Sequence, residues 1–184
     1  VQIGTGSWSQ ISAGSSFAVG ITSDSTLFAW GLNSTGQLGQ SDTINRSSPV
    51  QIGSGTYNLV LAGGTHAAAV SSDGISLYAW GLNTSGQLGD ATTVNKSSPV
   101  QVTNVSWNNI GIGVAGLRTF LIGTDQTFVF GENAAGGLGI SDTLARSSPV
   151  QVSARNQLLY LSPMRIGSDR WSQVSAGYSH STAL

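Results

Sequence analysis

The chain is 184 residues long, with 39% hydrophobic residues, enough for a packed core, but only 8% charged residues and a net charge of −1. The charged share is about a third of the roughly 25% usual in soluble domains, and no basic stripe exists to attract nucleic acid or an anionic membrane. There is no cysteine, which excludes disulfides and thiolate metal sites, and no run of about 18 apolar residues that could span a bilayer as a helix.

Short segments of strand character follow one another from residue 8. They are WSQISA (8–13), SFAVGIT (16–22), TLFAWG (26–31) and PVQIG (49–53), rich in Val, Ile, Phe and Trp and separated by Gly, Asn, Asp or Ser. No sustained helical period of apolar residues occurs. The series then starts again. WSQISAG (8–14) returns as YNLVLAG (57–63), WNNIGIG (107–113) and WSQVSAG (171–177), and SSPVQ stands at 47–51, 97–101 and 147–151. WGLNSTGQLG (30–39) returns as WGLNTSGQLG (80–89) and FGENAAGGLG (130–139), so Trp30, Trp80 and Phe130 are 50 residues apart. Several independent markers on one period define a repeat architecture.

Four strands in each unit of about 50 residues predict an all-β fold, a β-propeller of four-stranded blades. The predicted units are 8–56, 57–106 and 107–170. Residues 1–7 are the end of a preceding unit and 171–184 the start of a further one. The repeated decapeptide reads as structural. Its aromatic residue ends a strand and packs between blades. Gly31, Gly81 and Gly131 follow, where a Cβ would crowd a chain crossing or a positive φ. Asn33, Asn83 and Asn133 bond their own turns. Gly36, Leu38 and Gly39, and likewise Gly86, Leu88 and Gly89, form a tight loop that tucks one apolar side chain inside.

WSQVSAGYSHSTAL (171–184), together with the WGLNxxGQLG element, is very similar to the repeat of the regulator of chromosome condensation family. The resemblance covers nearly the whole chain. It implies a propeller, usually of seven blades, of which this chain would supply about half. It implies little about function, because the family includes a nucleotide exchange factor, a light receptor, enzyme inhibitors and bacterial and phage surface proteins. Closure then requires either a longer chain, of which these residues are an excerpt, or two chains completing one ring. An open arc would leave blade faces and strand edges bare.

Departures from the repeat point to particular function. Seven residues before Asp24, Asp73 and Asp125 stand Phe17, His66 and Arg118, and His180 holds the matching place in the last unit. A slot that accepts all three types reads as packing and backbone bonding, ahead of pH sensing or metal binding. In the third unit, residues 151–164 form an insertion between two copies of a Ser-Pro motif. In or beside it lie Arg155, Leu158, Leu159, Tyr160, Leu161, Met164, Arg165 and Arg170, an apolar run with arginines that has the composition of an interface core. The alternative is a longer connection packed on its own blade. Asn33, Asn45, Asn83, Asn95 and Asn104 begin N-x-S/T triplets that follow from composition. Asp42, Asp90 and Asp142 are too isolated for calcium.

Catalytic groups are sparse. Neither histidine sits in a nucleophile motif, no phosphate loop exists, and Glu132, the lone glutamate, has no partner at glycosidase spacing. The expectation is a non-catalytic scaffold with no cofactor and no metal, which binds proteins, among them other copies of itself or components of an assembly. It binds no nucleic acid and inserts into no membrane. Low charge and regular repeats favour a structural or adhesive role on a virion or bacterial surface. The other reading is an intracellular protein-binding propeller, exchange-factor-like or inhibitor-like, in the cytoplasm.

Overall fold

The structure, a computed structural model, describes residues 7–103, 111–122, 127–152, 174–176 and 181–183. Every strand pairing is antiparallel, and no helix occurs among the described residues. Strands β1 (Trp8–Ala13), β2 (Phe17–Thr22), β3 (Thr26–Gly31) and the first part of β4 (Arg46–Ala62) form one meander. The remainder of β4, with β5 (His66–Ser71), β6 (Leu77–Gly81) and β7 (Lys96–Thr103), forms the second. A third is built from β8 (Gly111–Ala115), β9 (Arg118–Ile122), β10 (Thr127–Gly131) and β11 (Arg146–Val152). A last pair, β12 (Val174–Ala176) and β13 (Ser181–Ala183), follows. These four-stranded meanders, packed face to face, are propeller blades.

One detail differs from the sequence reading, which separates PVQIG from YNLVLA. The structure joins them in the single 17-residue strand β4. Gly53, at φ +57°, and a register shift between the Thr26 and Phe28 pairings let this strand leave one blade and enter the next without a break in hydrogen bonding.

Alternation along each strand makes the core. In β5, Ala67 and Ala69 face the first blade, where they meet Val19, Leu27, Leu38, Ile52 and Trp80. Ala68 and Val70 face the third, with Leu77, Ala79, Leu88, Leu121 and Phe130. A strand buried on both faces reads as an unbroken apolar run, and alanines let the neighbouring sheets approach closely.

The first strands of consecutive blades are also joined. Val60 N–H donates to Gln10 Oε1 at 2.9 Å and Ala62 N–H to Ser12 Oγ at 3.0 Å. Backbone bonds then run from Ser15 N to Gly64 O and from Gly64 N to Gly116 O. Side-chain oxygens here stand in for the carbonyls of a neighbouring strand. Replacing Ser12 with alanine is expected to cost about 1 kcal/mol, the usual net value of one such bond, measured by urea denaturation.

Candidate functional site

Each meander begins and ends so that two loops reach the same end of the sheets. The short turns are 14–16, 63–65 and 116–117; the long loops are 32–45, 82–95 and 132–145. The long loops hold the decapeptide. Gly31, Gly81 and Gly131 open them at φ +108°, +102° and +109°. A Cβ on Gly31 would lie 2.6 Å from Ser16 O, so the conformation and the close approach both require glycine there.

Asn33 organises the first loop from inside. It is fully buried, its Oδ1 accepts Leu38 N–H at 2.9 Å, and its Nδ2 donates to the carbonyls of Asp42 and Ile44. Asn45 Oδ1 accepts Asn33 N–H at 2.8 Å. Asn83 repeats the set with Leu88, Thr92, Val94 and Asn95, and Asn133 bonds Leu138 and Asp142. Asn33 and Asn83 are therefore internal struts with no room for a glycan. Leu38 and Leu88 are fully buried, each worth roughly 1.5–3 kcal/mol of apolar transfer.

The loop of one blade locks onto the next. A Cβ on Gly36 would lie 2.6 Å from Ser97 Cα, and Gly86 is pressed in the same way against Ser147. Ser41 N–H donates to Ser97 O and Ala91 N–H to Ser147 O, each at 2.7 Å. Gly39 lies under the Trp80 ring and Gly89 under Phe130. Trp30 packs on Trp8 of its own sheet, with ring centroids 5.5 Å apart.

The two seams satisfy the same buried carbonyl differently. Between the first and second blades, Trp80 Nε1–H donates to Gln37 O at 3.0 Å. Between the second and third, the ring is Phe130, which has no donor, and Thr119 Oγ1–H donates to Gln87 O at 2.8 Å. A hydroxyl carries one proton, so Thr119 accepts from His66 Nε2–H at 3.0 Å. His66 is fully buried, and that burial lowers its pKa to about 4. In the same blade Arg118 donates to Glu132 O at 3.1 Å and pairs with the Glu132 carboxylate.

Charge at this end is self-contained. Asp42 pairs with Arg46, Asp90 with Lys96 and Asp142 with Arg146. With Arg118 these are all the lysines and arginines among the described residues, and every one has a carboxylate partner. The Ile44 amide, then Arg46, hold the Asp42 carboxyl below its ordinary range; the Leu144 amide and Arg146 do the same for Asp142. For Asp90, burial pushes upward, and Thr92, Lys96 and Asn83 together outweigh it.

Each of these aspartates props up an aliphatic residue. Asp42 Oδ1 accepts Ile44 N–H and Asp142 Oδ1 accepts Leu144 N–H, both at 2.9 Å. In the middle loop, Thr92 relays from Asp90 to Val94. Ile44, Val94 and Leu144 are 64%, 63% and 66% exposed, one per blade. Such agreement at a spacing of 50 residues marks a built feature, since scattered exposed aliphatics show no register.

The insertion residues Arg155, Leu158, Leu159, Tyr160, Leu161, Met164, Arg165 and Arg170 lie outside the described residues, as does His180. The exposed aliphatic row was missed in the sequence, although SDTIN, ATTVN and SDTLA carry the signal: one apolar letter in a polar loop, at a fixed period. Among the described residues, no three His, Asp or Glu side chains gather to hold a metal ion. Among the described residues no helix is long and apolar enough to cross a membrane.

Sequence profiles of the regulator of chromosome condensation (RCC1) repeat match residues 24–70, 76–112 and 125–184, and a second profile of that repeat matches 8–37 and 60–87. The chain belongs to the RCC1 repeat family. Human WBSCR16 superimposes on it with a TM-score of 0.78 at 22% identity, over 100% of this chain and 46% of that one. Prp20p from Saccharomyces cerevisiae gives a TM-score of 0.78 at 19% identity, over 100% of this chain and 44% of its own. The receptor kinase CR4 ectodomain of Physcomitrella patens gives 0.51 at 17% identity, over 97% of this chain and 36% of that one. This RCC1-repeat chain thus spans less than half the length of these structures, and at such identities the likeness is one of fold. No curated protein matches it.

Proposed function

We propose that this chain is part of a non-catalytic RCC1-type propeller whose work is to hold protein partners. The observation that carries this reading is the loop face: a rigid end of the blades, each loop held from inside by buried Asn33, Asn83 or Asn133 and locked to the next blade through the Ser41 and Ala91 amides, whose exposed features are aliphatic and whose charges are already paired. Surfaces that read nucleic acid need unpaired cations. A face with apolar points in a neutral polar field suits protein contact. The insertion at 151–164, with Tyr160 and its leucines, is the second proposed contact.

Low charge and near-identical blades support a structural or adhesive place on a virion or bacterial surface. The other placement, inside the cell, is supported by the folds it resembles: the yeast RCC1 protein Prp20 is described in complex with Kap60 and for its binding to Gsp1p and histones. A photo-crosslinking residue placed at Thr93 on the loop face, and separately at Tyr160, tests the binding reading in the native full-length protein. Covalent adducts to protein at either position are expected; none at both would sink it. Protease shaving of intact particles or cells decides the placement, since only a surface propeller releases peptides.

A further inference from the structure

We propose that the row formed by Ile44, Val94 and Leu144 is a self-pairing surface, on which a second copy of this propeller docks face to face. This rests on the protein-binding reading and names its partner. The first support is repetition. The three side chains stand at one position of successive blades and are exposed to the same degree; the residue two before each accepts its amide, Asp42 and Asp142 through a carboxylate and Thr92 through a hydroxyl. A partner that gains from every blade at once must present apolar points with the same angular repeat. The chain itself is a surface with that repeat, and a two-fold contact places its own row opposite it.

Charge selects this end over the other. The loop segment 32–46 carries Asp42 and Arg46; the segment 82–96 carries Asp90 and Lys96. The third carries Glu132, Asp142 and Arg146 and is completed by Arg118. Each blade is therefore neutral at this end, and two copies meet without repulsion. At the opposite end, the β2–β3 and β5–β6 turns carry Asp24 and Asp73. Their hydrogen bonds run to hydroxyls and amides, those of Thr22 and Thr26 and those of Ser71 and Ile75. Both carboxyls are held below their ordinary range, Asp24 first by the Thr22 hydroxyl and Asp73 first by that of Ser71, so both stay ionised. Two copies meeting at that end would place like charges together. The paired cations of the loop face also make it a poor match for an anionic lipid surface, which attracts free ones.

The test is sedimentation velocity of the full-length native protein at micromolar concentration. The variants are the triple Ile44→Glu, Val94→Glu, Leu144→Glu and, as a control at the opposite end, Ile75→Glu, which is 46% exposed. All four sites are exposed, so circular dichroism and the melting midpoint should stay as in the wild type. The expected result is a wild type of twice the chain mass, a twofold fall in mass for the triple variant and no change for Ile75→Glu. A monomeric wild type overturns self-pairing, as does a triple variant that keeps the doubled mass. So does flotation of the wild type with phosphatidylserine vesicles that the triple variant loses, which would assign the row to lipid. A monomeric wild type that still forms crosslinks from Thr93 to other proteins removes self-pairing alone and leaves the binding function intact.

Discussion

Substituting Thr119 with valine is expected to destabilise the protein by about 3 kcal/mol, although shape and volume hardly change. The hydroxyl donates to Gln87 O and accepts from His66 Nε2–H, and both groups are buried between the second and third blades. Each buried group left without a partner costs roughly 1–3 kcal/mol, far more than a satisfied bond contributes. The protein itself contains the remedy. At the first seam the corresponding residues are Phe17, Ala67 and Trp80, and the indole supplies the donor that Gln37 O requires. The triple variant His66→Phe, Thr119→Ala, Phe130→Trp copies that seam onto the second and should bring stability back to within about 1 kcal/mol of the wild type. Equilibrium urea unfolding reads both quantities. If valine at 119 is tolerated, or if the triple variant is as unstable as the single, the account of the seam is wrong.

The coupled seam shows what a repeat sequence makes visible and what it hides. The period of 50 residues, the aromatic-Gly step and the Asn and Leu positions were legible because each answers one local demand: a positive φ at Gly31, a strut at Asn33, a buried plug at Leu38. Such demands recur in every blade and so are written in every blade. The third unit's departures looked independent in the sequence. Glu132 stood in place of a leucine, Arg118 in place of Phe17, Phe130 in place of a tryptophan. Strand register shows them to be partners. Phe130 pairs with Thr119 and Gly131 with Arg118 across β9 and β10, which puts Arg118 beside Glu132. Compensation across a hairpin is invisible until the hairpin's register is known.

The join within β4 was hidden for a different reason. Gly53 and Gly55 are turn residues by composition, and a turn is the default reading of such a stretch. Here glycine serves to twist a continuous strand from one sheet to the next, because the backbone can turn at φ +57° while β3 and β5 occupy its two hydrogen-bonding edges in succession. The exposed row at Ile44, Val94 and Leu144 was passed over because a single aliphatic letter in a polar loop carries no meaning until three loops are seen at one end of the sheets. Local chemistry thus specified the blades, and the exposed aliphatic row emerged only from how blades repeat in space.

Acid is expected to loosen the second seam before it neutralises Asp24, Asp42, Asp73, Asp90 and Asp142. His66 carries an imidazole whose ordinary pKa is 6.5, and burial lowers it to about 4, with no neighbouring charge acting to restore it. Between these values the unfolded chain takes up a proton that the folded chain refuses, so stability falls as the pH drops. The contribution is fully present above pH 6.5 and lost progressively down to pH 4, in total about 3 kcal/mol from the size of the shift. Asp24, Asp42, Asp73, Asp90 and Asp142 are all held below 3.8, so what they contribute is lost only at still lower pH. The two processes therefore separate along the pH axis. Replacing His66 with phenylalanine, as blade one does at Phe17, should flatten the stability profile between pH 7 and 4.5 by about 2–3 kcal/mol relative to the wild type. His180 is common to both proteins and cancels in the difference. Urea unfolding across this range, with NMR titration of the histidine Cε1 protons, checks it directly: one resonance should remain unshifted above pH 5 and vanish in the variant. Parallel stability profiles for the two proteins would mean that the second seam admits water to the imidazole, and the blades would be less tightly closed there than the Thr119 bond implies.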